Sequence, residues 1–139
     1  MNKWDYKSAK VGDSLPSMKI KPISQSSLAL YAKASGDRNP LHIDYNYAKK
    51  LGFDDTIAHG MLIMAYLGRT LTENIEQNNI LEYGVRFSSI VNNGDVLLCT
   101  GIVSEIKKNN SQNVLKIELK VTNQNGEKKI IGYTKVNIS

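Results

Sequence analysis

Along residues 113–122 the chain alternates with period two. Leu115, Ile117, Leu119 and Val121 fall on one side, Lys116, Glu118 and Lys120 on the other, which predicts a strand with one buried face. Strands are likewise predicted over 80–91, 95–107 and 128–138. The breaks carry Asn92-Asn93-Gly94-Asp95, Asn109-Asn110-Ser111 and Asn123-Gln124-Asn125-Gly126, residue types that turn the backbone back on itself. The second half therefore reads as an antiparallel meander.

The first half changes period. After an irregular lead-in from Trp4 to Pro16, turning at Val11-Gly12-Asp13, the alternation Met18-Lys19-Ile20-Lys21 predicts a first strand ending at Pro22. Ser24 is placed to cap a helix whose Leu28, Tyr31, Ala32 and Ser35 share a face, with Gly36 as its stop. Asp44 caps a second, shorter helix with Tyr47, Ala48 and Leu51 on one side, closing at Gly52. From His59 to about Asn74 the residues are apolar on every face, predicting a helix buried on most sides. It is too short to span a bilayer. The economical arrangement is α+β, with the sheet curled around this central helix.

A length of 139 residues fits one domain over 1–139, large enough for its own core. Hydrophobic content of 41% and charged content of 22% match an ordinary soluble protein and exclude a disordered one. The opening Met1-Asn2-Lys3-Trp4-Asp5 has no apolar targeting segment, so a cytoplasmic location without membrane attachment is expected. The single cysteine, Cys99, lies in an apolar run and reads as a small core residue. A net charge of +5 raises a nucleic-acid partner. The lysines, however, come as scattered pairs near turns (Lys49-Lys50, Lys107-Lys108, Lys128-Lys129), which reads as solvated surface and argues against one.

The candidate chemistry is concentrated. In the stretch Tyr31 to His42, Asp37, Asn39 and His42 fall within six residues around Pro40. An acid, an amide and an imidazole in one stiffened loop are the groups that proton transfer needs. Ala58-His59-Gly60-Met61-Leu62 answers it at the start of the buried helix.

Ser35-Gly36-Asp37-Arg38-Asn39-Pro40-Leu41-His42 resembles the signature of the MaoC-like, or hydratase 2, branch of the hot-dog superfamily. Ile57-Ala58-His59-Gly60-Met61 resembles its second motif, and Tyr83-Gly84-Val85-Arg86-Phe87 with Gly94-Asp95 a looser third. The resemblance covers nearly the whole chain and implies a hot-dog fold, a curved antiparallel sheet around a long helix, usually dimerised. It implies (R)-specific hydration or dehydration of 2-enoyl and 3-hydroxyacyl thioesters, with no metal or organic cofactor. Asp37 and His42 would hold and activate a water, Asn39 would position it or the pair, and the Gly60 N–H would stabilise the thioester oxyanion. His59, beginning a buried helix, is read as a capping or structural residue rather than an acid/base one. Two positions depart from the pattern: Gly68 stands where some bacterial hydratases have serine, and Ile90 where proline is common. The carrier is CoA or acyl carrier protein, both of which suit a positive surface, and the assembly a homodimer or, as in related dehydratases, a heterodimer. A non-catalytic acyl-thioester-binding subunit and a thioesterase are the other functions such a fold accommodates, and the intact Asp37, Asn39 and His42 set argues against both.

Overall fold

The computed structural model describes residues 4–139; Met1 to Lys3, part of the opening read above for a targeting segment, lie outside it. In chain order the elements are β1 (Ser14–Lys19), α1 (Gln25–Ser35), α2 (Tyr45–Lys50), α3 (Gly60–Thr72), β2 (Ile80–Phe87), β3 (Leu98–Lys108), β4 (Asn113–Thr122) and β5 (Lys128–Asn137). The strands form one antiparallel sheet in the order β1-β3-β4-β5-β2.

The β4 alternation sorts as the sequence predicts, with Leu115, Ile117, Leu119 and Val121 all buried. Their neighbours on the same face are Cys99 and Val103 of β3 and Ile130, Thr134 and Val136 of β5. This layer meets Leu62, Ile63, Leu67 and Leu71 of α3 in one core. Each such side chain, fully buried, contributes about 1.5–3 kcal/mol. Register shifts in all four pairings bend the strands as bulges do, and the result is the α+β sheet-and-helix arrangement expected.

Three sequence expectations are corrected. The first strand begins at Ser14 rather than Met18 and runs through Pro16. Proline is tolerated because β1 is an edge, and its pairing with β3 shifts register between Leu15 and Met18. Second, only β3, β4 and β5 form a meander. β2 ends at Phe87 and crosses to the far side of β5, where Phe87 faces Ile130. A Cβ on Gly132 would lie 2.6 Å from the Gly84 carbonyl oxygen, so this close β2–β5 approach requires glycine. The Asn92–Asp95 turn forms, with the Asp95 N–H donating to the Asn92 carbonyl at 3.1 Å, yet it joins no hairpin. Third, α3 is buried along one side only: Met61 is 58% exposed, and Ala65, Arg69 and Thr72 are exposed with it. The sheet of one chain covers a single side of the helix.

No helix among the described residues is long and apolar enough to cross a membrane. Cys99 is fully buried, and burial raises its thiol above the ordinary value. This is the inert core cysteine read from its apolar run.

Candidate active site

The loop carrying the polar cluster is shaped by local hydrogen bonds. Gly36 ends α1 in the left-handed conformation (φ 81°), its N–H donating to Ala32. The Asp37 N–H then donates to Ser35 Oγ at 3.2 Å. Asp37 Oδ1 accepts from the Asn39 N–H at 3.4 Å, and Asn39 Oδ1 accepts from the Leu41 N–H at 3.0 Å. Asn39 is thus the cap of a single 3-10 turn, Pro40–His42, with proline at its favoured first position. Its side-chain oxygen is engaged within the loop, and its backbone N–H reaches the Asp37 carboxylate.

His42 is clamped from the second motif. Its Nδ1 lies 2.8 Å from the Ile57 carbonyl oxygen. A carbonyl only accepts, so Nδ1 carries the proton, and in the neutral ring Nε2 presents a lone pair. That Nε2 faces Asp37 Oδ2 at 4.0 Å. The separation exceeds a direct hydrogen bond and is one that a shared water spans.

Behind the pair stands His59, 1% exposed. Its Nε2 donates to the Asp37 carbonyl at 3.0 Å, tying the two motifs together. The His59 ring stacks on His42 with centroids 3.7 Å apart and planes at 25°, and meets Tyr31 edge to face at 4.8 Å. Nδ1 of His59 has no hydrogen-bond partner among the described residues. His59 thus pins the Asp37 loop and forms the surface on which His42 rests. The capping role expected for it is not realised, since its side chain makes no cap hydrogen bond to α3.

Asp37, His42 and His59 offer ligand atoms within 4.8 Å of one another. Coordination at about 2.0–2.1 Å needs in-plane lone pairs that converge. His42 Nδ1 and His59 Nε2 are already engaged with the Ile57 and Asp37 carbonyls, which leaves His42 Nε2, His59 Nδ1 and the Asp37 carboxylate as the atoms that could hold an ion.

Gly60 is the first residue of α3, and His59, at the cap position, makes no side-chain cap hydrogen bond. The N–H groups of a first helical turn have no intrahelical acceptor and lie at the positive end of the helix dipole. The Leu62 N–H is taken by the His59 carbonyl at 3.2 Å, and the N–H of Gly60 at the first position is one that can receive an oxyanion. Beside Gly60 opens a cleft of about 250 Å³, lined by Ile63, Phe87, Ile90, Val91, Lys129 and Ile130 among others. The aromatic ring of Phe87 lies where a Cβ on Gly60 would come within 3.0 Å.

The structure therefore brings Asp37, Asn39 and His42 together with His59, and sets Gly60 next in sequence to His59. Sequence reasoning missed the supporting shell. Gln25 donates from Nε2 to the His42 carbonyl at 3.0 Å and accepts from Thr56 Oγ1 at 2.6 Å. Tyr83 donates to the Met64 carbonyl at 2.7 Å, its phenol pushed well above the ordinary range by burial. Gln25 lies in the polar run Ser24-Gln25-Ser26-Ser27 and Thr56 follows Asp54-Asp55, so their own sequence context carried no signal, whereas Tyr83 stood in the looser third motif.

Over 104 residues the chain is 33% identical to the mitochondrial 3-hydroxyacyl-[acyl-carrier-protein] dehydratase of Arabidopsis thaliana, covering 75% of this chain and 60% of that protein. An (R)-specific enoyl-CoA hydratase of Rhodospirillum rubrum is 32% identical over 93 residues, 63% of this chain and 65% of that protein. The chain thus spans somewhat under two thirds of these relatives' length. The unliganded R-hydratase of Pseudomonas aeruginosa superposes with a TM-score of 0.82 at 30% identity, over 94% of this chain and 83% of that one. The fold is the hot-dog fold of these neighbours. The family described as "MaoC like domain" matches residues 7–127, and the chain belongs to it.

Proposed function

We propose that this chain is an (R)-specific hydratase or dehydratase of 2-enoyl and 3-hydroxyacyl thioesters. The observation that carries the reading is the His42–Asp37 pair, 4.0 Å apart, beside a helix start without a side-chain cap. Relatives named as enoyl-CoA hydratase and acyl-carrier-protein dehydratase support it.

The steps follow from the atoms. A water held between Asp37 Oδ2 and His42 Nε2 gives a proton to the pair as its oxygen adds to C3 of the enoyl group. Electron density moves through C2 to the thioester oxygen, where the Gly60 N–H stabilises the developing charge. A proton from the pair then closes C2, so one water has added and the pair has returned to its starting charge. Dehydration runs the same steps backwards. The Ile57 carbonyl fixes the His42 tautomer, and Asn39 holds the turn and the Asp37 carboxylate through its N–H. General acid/base catalysis of this kind contributes about 10²–10⁴ in rate.

Loss of enoyl-thioester absorbance tests the proposal, with crotonyl-CoA and the corresponding acyl-carrier-protein thioester. The expected outcome is turnover by the wild type and a fall of about 10²–10⁴ in Asp37→Asn and His42→Ala. Wild-type inactivity on both carriers, or full rates in both variants, would sink it. The net charge of +5 suits the phosphates of CoA and an acidic carrier protein alike.

A homodimer is part of the same reading. β2 is an edge strand whose Leu81 and Phe87 are exposed, as are Met61 of α3 and Ile90 beyond the strand, and long apolar edges are normally covered. Light scattering is expected to give twice the 15.5 kDa chain mass.

A further inference from the structure

Lys129 was read as half of a solvated surface pair, and the structure corrects that: it is 2% exposed, whereas Lys128 beside it is exposed. The cause is the register shift at the start of β5, where Thr122 pairs with Lys128 and Val121 with Ile130, so that the pairing skips Lys129 and the segment leaving β2 covers it. Lysine is almost never fully buried unless paired. Here Nζ donates to the Ile90 carbonyl at 2.6 Å and to Glu127 Oε2 at 3.4 Å, and lies 3.9 Å from Asp95 Oδ2. Two of the ammonium's N–H donors are taken by these acceptors and the Asp95 carboxylate adds an ion-pair contact, so this head group is committed to the protein.

What it commits to is the wall of the cleft. Asp95, 5% exposed, accepts from the Asn92 N–H at 2.9 Å and from Gln124 Nε2 at 3.1 Å. Residues 88–94 are thus strapped down along their length. The Ser88 N–H donates to the Lys129 carbonyl at 2.9 Å, and the Ala58 N–H to the Val91 carbonyl at 2.8 Å. The Asn93 N–H donates to the Thr56 carbonyl at 3.2 Å. The strap therefore runs from β5, through Ile90 and Val91, to the Thr56-Ile57-Ala58 segment that leads into His59 and Gly60. Ile90 offers only its carbonyl to the clamp, and Lys129 holds it at the middle of the span.

We propose that Lys129 is a positioning residue that fixes the width of the cleft, holding the Ile90–Val91 wall at a set distance from Gly60, and thereby restricts the protein to short acyl groups. The proposal rests on reading the cleft as the acyl site. Within one chain the cleft holds about 250 Å³, below the 300–1,000 Å³ usual for ligand pockets. The partner of the proposed dimer would close its open side at Phe87 and Ile90, and a wall tied by a buried ion cluster does not widen to admit a longer chain.

The test measures kcat and KM on C4 and C10 2-enoyl thioesters for wild type, Lys129→Met, Lys129→Gln and Lys129→Arg, with Asp37→Asn alongside. The wild type is expected to prefer C4 over C10 in kcat/KM by at least about tenfold. Lys129→Met is expected to shrink that preference at least about fivefold, mainly by lowering the C10 KM, and Lys129→Arg to restore it. Lys129→Gln, uncharged and one bond shorter, falls short of the Ile90 carbonyl and gives up the ion pair with Asp95. It provides the measurement should Lys129→Met fail to fold, its expected result being the same shrinkage. A purely structural lysine would lower the melting temperature and leave the C4 to C10 ratio alone, and that result overturns the proposal, as does a wild type that prefers C10. Full activity in Asp37→Asn would instead overturn the reading of the site. Loss of turnover there with an unchanged ratio in the Lys129 variants removes only the role of Lys129.

Discussion

The starts of α1 and α3 are built in opposite ways. At α1, Ser24 Oγ accepts from the Ser27 N–H and Ser27 Oγ accepts from the Ser24 N–H, at 3.2 and 3.3 Å, a closed capping box. At α3 the residue in the cap position is His59, whose Nε2 is engaged with the Asp37 carbonyl and whose side chain caps nothing. A serine, aspartate or asparagine cap is worth about 1 kcal/mol. Forgoing it at the central helix of the core makes sense where the N–H groups are needed for a substrate oxygen. The helix that carries the proposed chemistry is thus the one left uncapped, and the helix beside it is finished for stability.

The comparison breaks most sharply at Gly60. Gly60→Pro deletes the N–H at the first helical position, where proline is otherwise favoured, and His59 already has the extended conformation (φ −65°, ψ 131°) that a following proline prefers. Gly60→Ala keeps the N–H. Both place a Cβ about 3.0 Å from Phe87 Cε1, and that ring, half exposed, can give way in either variant. Their ratio therefore reports the loss of the N–H together with the ring Cδ that replaces its hydrogen. We expect kcat for Gly60→Pro to be about 10²–10³ below that for Gly60→Ala, with circular dichroism showing both folded. Equal rates would remove the oxyanion role from this amide.

How much of this was readable beforehand depends on what each feature draws upon. Ser24, Gly36 and the β4 alternation act through neighbours within a few residues, and each element formed where its own residues predicted. The partner of β2 is not written in β2. The Asn92–Gly94 turn signal was real, but the choice between β3 and β5 is made by the close approach at Gly132 and by the strap over Lys129, contacts between residues far apart in the chain. The site divides in the same way. Asp37, Asn39 and His42 are a local cluster and were legible as one. The stacking of His59 on His42 and the His42 clamp to Ile57 depend on the second motif folding back across 15–17 residues. Lys129 was misread because a lysine beside a lysine near a turn looks solvated, and only the acceptors from Ile90 and Glu127 and the nearby Asp95 carboxylate show otherwise.

The smaller effect lies at the other helix start. Ser24→Ala removes the side chain that holds the Ser27 N–H, and truncating such a cap costs about 1 kcal/mol, which for a chain of this size lowers the melting temperature by roughly 4 °C. Gln25, next along, still donates to the His42 carbonyl and receives the Thr56 hydroxyl, since neither bond involves Ser24. The loop that carries Asp37 and His42 should therefore keep its geometry, and kcat should stay within about twofold of wild type while thermal denaturation shifts. A fall in kcat matching the loss of stability would mean that the cap of α1 and the site move together, and that finishing one helix is a condition for leaving the other open.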